Sequence, residues 1–143
     1  MAKLDQINER ILQELGRNGR ISNLELAERV GMSPSACLRR GLIKGYRAVL
    51  DRAALGAGFV AYVGVGLRDH TKAAQEAFER AIARAPEVRE CHNTTGTIEY
   101  MLRVECADLQ SYKAFHTDML GALPQVNAIT SYVVMGSPKD ERA

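Results

Sequence analysis

No uninterrupted apolar run in this chain approaches the ~20 residues that a membrane-spanning helix needs, so a membrane partner is not expected. Asp5, Glu9 and Glu14 stand where a secretory signal would carry basic and then apolar residues. A cytoplasmic location is therefore expected. Cysteine is scarce: Cys37, Cys91 and Cys106 have no C-x-x-C spacing, which argues against a disulfide framework or a zinc site and leaves three thiols expected to be buried. Histidine offers no catalytic arrangement either. Cys91 and His92 are the only adjacent thiol and imidazole, yet neighbours on a strand point to opposite faces and cannot form a nucleophile–base pair, while His70 and His116 stand alone. No catalytic residue, metal ligand or cofactor is expected. Charge of one sign is lacking as well, since 19 Lys and Arg face 17 Asp and Glu for a net +2. That balance hides an asymmetry: residues 1–56 hold ten basic and six acidic side chains, residues 57–143 nine and eleven. The first half is the one to search for phosphate contacts, which an excess of +4 helps but does not prove.

What remains, 46% hydrophobic and 25% charged residues over 143 positions, suits one ordinary globular domain or two small ones. Leu4, Ile7, Ile11, Leu12 and Leu15 recur at helical spacing until Asn18-Gly19. Ser22 with Glu25 three positions later has capping-box spacing and opens a second helix over Leu24, Leu26, Ala27 and Val30, which Gly31 ends. Ser33 then caps a third helix with Pro34 at its first position, where a missing N–H costs nothing. Helix, glycine turn, Ser-Pro entry and arginine pair are the parts of a helix-turn-helix reading head for double-stranded DNA. In that head Ser33 and Ser35 suit phosphate oxygens, Pro34 sets the start of the helix between them, and Arg39 and Arg40 suit phosphates or guanine edges. Residues 42–50 read as a strand-like arm with Lys44 and Arg47 as its basic positions. Each part alone has a bland reading, a common helix start or a solvated charged face. Their order gives the specificity.

Small residues and two glycines at 51–58 mark a linker, so the domain plan is 1–50, a linker 51–58, and 59–143. Beyond it a pattern occurs twice. Phe59, Ala61, Val63, Val65 and Leu67 alternate as a strand, and Ala74, Ala77, Phe78, Ala81, Ile82 and Ala85 form a helical stripe that stops at Pro86. Ile98, Tyr100, Leu102, Val104 and Cys106 alternate again, followed by a stripe of Leu109, Tyr112, Phe115, Met119, Leu120 and Leu123 stopping at Pro124. A strand after each proline, over about 88–94 and 126–135, completes β-α-β-β-α-β: an α+β, ferredoxin-like sandwich with both helices on one face. The other face, with Val60, Tyr62, Met101, Tyr132 and Val134, would be left wet in a single copy. A homodimer is expected.

On the stretches L-D-Q-I-N-E-R-I-L-Q-E-L, R-I-S-N-L-E-L-A-E-R-V-G-M-S-P-S-A-C-L-R-R, G-L-I-K-G-Y-R-A-V-L-D, T-T-G-T-I-E-Y-M-L-R-V and L-P-Q-V-N-A-I-T-S-Y-V-V-M, the chain resembles the Lrp/AsnC (feast/famine) family of transcriptional regulators over nearly its whole length. The resemblance implies a winged helix-turn-helix followed by an effector-binding RAM sandwich. It also implies dimers that assemble further, often to octamers, and a small amino-acid effector held between dimers. Gly96, Thr97, Ile98, Glu99 and Tyr100, with Asn127 and Ser131, fall at the positions the family uses for that effector. There Gly96 would let backbone amides approach a carboxylate, and Thr97 and Glu99 would offer a hydroxyl and an anion to an amino group. The bland alternative is a β-turn with polar tips.

Two departures from the family pattern stand out. Thr97 follows Gly96 where an acidic residue is common. Arg40 meets Gly41 directly, where the family continues about seven residues further, so the helix from Ser33 to Arg40 is about 12 Å long at 1.5 Å per residue. That shortening leaves open a naturally shortened reader or a sequence from which a segment is missing. Two other functions fit the fold: a metabolite sensor that does not bind DNA, and an enzyme similar to the sirohaem decarboxylases.

Overall fold

The computed structural model describes residues 6–21, 25–26, 29 and 44–142. The chain divides into two compact units between Ala48 and Val49. In the first, α1 (Gln6–Arg17) presents Ile11 inward, and Ile11, Leu26 and Ile21 are all buried. The Asn18 N–H bonds the Glu14 carbonyl at 2.9 Å and the Asn18 side chain accepts the Arg20 N–H at 3.1 Å. The helix therefore stops at the Asn-Gly pair. Arg29 reaches Glu14 at 2.8 Å and Glu25 at 3.0 Å, while Arg10 donates to the Arg29 carbonyl at 2.7 Å, which fixes this helical packing from its polar side. The strand-like arm is corrected where it is described: 44–50 carries no regular structure. Tyr46, Val49 and Leu50 are exposed, and no described strand lies alongside to satisfy a ladder, without which an isolated strand has little stability.

The second unit has the expected α+β plan. β1 (Phe59–Leu67), α2 (Lys72–Ala83), β2 (Val88–Asn93), β3 (Tyr100–Cys106), α3 (Leu109–Ala114) and β4 (Val126–Val133) form an antiparallel sheet in the order β2-β3-β1-β4. Alternation decides the layers. Ala61, Val63 and Val65 on β1 and Leu102 and Val104 on β3 are fully buried, packed with Phe78 and Ile82 of α2 and with Tyr112, Phe115 and Leu120. Thr71 caps α2 by accepting the Ala74 N–H at 3.2 Å.

Three expectations need correction. The second helical stripe is not α-helical throughout: after α3, Phe115–Leu120 winds as a π-helix, closed by the Gly121 N–H on the His116 carbonyl at 2.8 Å. The five-residue step from Phe115 to Leu120, both buried, fits the wider i→i+5 turn better than an α-turn. β3 begins at Tyr100 rather than at position 98, because Ile98 and Glu99 belong to the β2–β3 hairpin loop. Cys106 is buried as expected but Cys91, on edge strand β2, is exposed; Cys37 lies outside the described residues.

The uncovered face is only half apolar. Val60, Tyr62, Tyr132 and Val134 occupy its β1–β4 side, but Glu90, Arg103 and Glu105 stand on the β2–β3 side. In register across the four strands the row reads Glu90, Arg103, Tyr62, Tyr132.

Candidate functional site

The hairpin loop between β2 and β3 is held by its own backbone. The Thr94 N–H donates to the Glu99 carbonyl at 2.8 Å, Asn93 Nδ2 donates to the same oxygen at 3.0 Å, and the Thr94 hydroxyl donates to the Ile98 carbonyl at 3.2 Å. These bonds turn the tip outward. Gly96 has φ +110°, a conformation that side chains strongly disfavour, and no atom lies within 4 Å of where its Cβ would be. Gly96 and Thr97 are exposed, so open backbone and a hydroxyl stand side by side at the tip.

The other candidate residues separate. Ile98 lies across β1, its Cδ1 2.7 Å from the position a Cβ on Gly64 would take. A side chain at 64 would make Ile98 shift, and the contact places Ile98 over the uncovered sheet face. Glu99 is already engaged: one carboxylate oxygen accepts the Leu67 N–H at 2.8 Å and the other faces His70 Nδ1 at 3.0 Å. It holds the loop to the end of β1. Tyr100 points into the core against Phe78, ring centres 4.7 Å apart, and burial with the nearby Glu79 charge pushes its hydroxyl up to about 12. Its role is packing. Ser131 hydrogen-bonds the Tyr112 hydroxyl on the helix-covered side of the sheet, the face opposite Ile98. Asn127 is exposed on β4. The loop thus unites Gly96, Thr97, Ile98 and Glu99 with Leu67 and His70, and leaves Tyr100 and Ser131 elsewhere. Of the DNA-reading candidates, Ser33, Pro34, Ser35, Arg39 and Arg40 lie outside the described residues, and Lys44 and Arg47 are exposed.

A charged network on the uncovered face has no signal in the sequence, because residues that pair within it are up to 53 positions apart. Glu105 is the one buried charged residue among those described. Burial would push its carboxyl up, but Arg103 and Arg52 outweigh that and hold it below the usual carboxylate range. Arg52 binds it at 2.8 Å through Nε, Arg103 binds the other oxygen, and Arg89 lies 3.9 Å away. Glu90 follows the same pattern: burial raises it, and His92, Arg142 and Arg103 together bring it down. Arg142 reaches Glu90 at 3.0 Å. Among the described residues no group of three or more His, Cys, Asp or Glu is placed to hold a metal ion, and no helix is long and apolar enough to cross a membrane.

A four-stranded antiparallel sheet with both helices on one face and an open glycine-tipped hairpin, following a small unit that contains α1, defines a two-part α+β protein. The AsnC-type helix-turn-helix domain matches residues 4–41 and the Lrp/AsnC ligand binding domain matches residues 60–143. The chain belongs to the Lrp/AsnC family of transcriptional regulators, and it is not an enzyme. It is 38% identical to the leucine-responsive regulatory protein of Escherichia coli (strain K12), over 143 positions that take in 95% of this chain and 87% of that protein. Among solved structures, a transcriptional regulator from Neisseria meningitidis in complex with L-methionine matches with TM-score 0.86 and 34% identity over 96% of this chain and 94% of that one. A feast or famine regulatory protein from M. tuberculosis complexed with L-methionine matches with TM-score 0.80 and 25% identity over 99% and 98%. Neither alternative function, a sensor without DNA binding or a decarboxylase, is favoured by these relationships.

Proposed function

We propose that this regulator acts as a cytoplasmic homodimer in which residues 1–50 read DNA, 51–58 link, and 59–143 bind a small amino acid and hold the assembly together, with dimers associating further as far as an octamer. The observation that carries the effector reading is Gly96: an exposed left-handed glycine opens backbone amides to a carboxylate at the tip of a loop pinned at both ends. Thr97 supplies a hydroxyl beside it, Ile98 an apolar neighbour, and Asn127 is a further selectivity candidate. Glu99 acts from behind, by fixing the loop to Leu67 and His70. A polar or small aliphatic amino acid fits these short side chains better than an aromatic one, and two similar proteins are complexes with L-methionine.

In the reading head, Ser33, Pro34 and Ser35 set the helix on phosphates and Arg39, Arg40, Lys44 and Arg47 supply cationic contacts to an inverted-repeat operator. An effector that binds one assembly state more tightly than another changes how many heads engage at once. The test is calorimetry against the twenty amino acids with sedimentation in parallel, on the wild-type chain and on Gly96→Val. Binding of one amino acid with a change in mass is expected in the wild type only. A folded Gly96→Val protein that binds the same ligand equally well would place the effector elsewhere.

A further inference from the structure

The segment after β4 is exposed from Met135 to Arg142, yet its far end returns to the sheet. Its backbone continues the ladder as far as Val134, whose N–H donates to the Val60 carbonyl at 2.9 Å, and beyond it Arg142 and the lining shared with Tyr62 place the segment against the uncovered face. β4 and β2 are the two edges, and Arg142 ion-pairs with Glu90 on β2 at 3.0 Å, so residues 137–142 span the sheet from one edge to the other. Between segment and sheet lies a crevice of about 390 Å³ lined by Tyr62 of β1 together with Ser137, Lys139, Asp140, Glu141 and Arg142. The path runs above the row Tyr132, Tyr62, Arg103, Glu90. Internal contacts shape it, with the Arg142 N–H on the Asp140 carboxylate at 3.0 Å and Lys139 on Glu141 at 3.2 Å.

We propose that the uncovered sheet face is a docking surface for the chain's own 137–142 segment, a strap that must leave before a second copy can pair through the same face. The inference rests on the homodimer reading above and adds a control to it. The strap is built to be released. Its anchor includes an ion pair of a mostly exposed arginine, side-chain exposure 64%, of the kind that salt and solvent weaken, and the crevice beneath it is polar and poorly filled. Even a weak strap acts strongly on assembly because both protomers must open. If it is closed about three times as often as open, each protomer is competent for about a quarter of the time, and the dimer constant weakens about sixteenfold.

The experiment is sedimentation equilibrium at low and high salt on three proteins: the wild-type chain, a chain ending at Gly136, and Arg142→Glu, which sets two carboxylates against each other at Glu90. Both variants leave every strand in place, and circular dichroism checks their fold. Dimer dissociation constants about tenfold tighter in both variants at low salt, with the gap to wild type closing toward 0.5 M salt, are expected. Constants equal to wild type in both variants overturn the strap while the homodimer stands. Weaker association in the shortened chain also overturns it, and shows instead that the segment reaches across to the partner. Monomers for all three proteins at 100 µM overturn the homodimer reading and the strap with it.

Discussion

Replacing Glu105 by Gln keeps the shape of the buried group and removes its charge, which makes it a direct test of what holds the second unit's uncovered face. The side chain is 5% exposed and shares two oxygens between Arg52 Nε, at 2.8 Å, and Arg103. Gln offers one acceptor in place of two and turns an N–H donor toward a guanidinium. Hydrogen bonds to charged groups contribute about 1.5–3 kcal/mol each, and one of the two is lost outright. Because Arg52 and Arg103 stay 30% and 21% exposed, water recovers part of that, and the net cost is about 1–2 kcal/mol. For a unit of this size the loss corresponds to a fall of roughly 5–10 °C in melting temperature. The pH dependence has a definite sign. The folded carboxyl titrates below its ordinary value, so its stabilisation is complete above the unfolded carboxylate's pKa and is lost as pH falls through the folded one. Wild type and Glu105→Gln should therefore differ most near pH 7 and converge in acid. Thermal unfolding followed by circular dichroism from pH 7 to pH 3 measures both effects. Equal melting temperatures at pH 7, or a gap that widens in acid, would refute the view that paired arginines outweigh the burial of this carboxylate.

Gly96→Ala should destabilise the protein by about 1–2 kcal/mol, because φ +110° is strained for any side chain even though the space around it is open; an unchanged melt would mean the loop relaxes freely. Phe78→Ala, which empties a fully buried site facing Tyr100, should cost about 3–5 kcal/mol in urea unfolding, and a loss below 1 kcal/mol would contradict the packing described for α2. Tyr62→Glu and Tyr132→Glu place a charge on the apolar β1–β4 side of the uncovered face, 37% and 61% exposed in one copy, and should shift light scattering from dimer to monomer with little change in monomer fold. Replacing Arg39 and Arg40 together by Ala should weaken duplex binding and flatten its dependence on log salt, as loss of phosphate contacts requires; an unchanged slope would remove that pair from the DNA interface.

What the sequence made legible is what short-range periodicity encodes. The step of two in Ala61, Val63 and Val65, and again in Leu102 and Val104, follows directly from the pleat, and those residues are all fully buried. The repeated strand, helix and proline stop gave the topology, since few arrangements of β-α-β-β-α-β bury both helical stripes on one sheet. Gly96 was legible as a loop glycine because a hairpin tip is where a left-handed residue is needed. The role of Glu99 was not. Its partners are an N–H at position 67 and an imidazole at position 70, groups 32 and 29 residues away whose proximity exists only once β1 and β3 are in register. The same reason hid Arg52 and Glu105, and it hid the apolar contact of Ile98 with Gly64, which depends on a glycine that strand propensity would count only as a weak point. A candidate site read from one loop therefore leaves its tip, Gly96 and Thr97, exposed, while the register engages its base with the rest of the fold. There Glu99 is a brace for the loop and Tyr100 a core ring, and Ile98 lies beside them against Gly64, three engagements that exist only because the register brings β1 alongside β3.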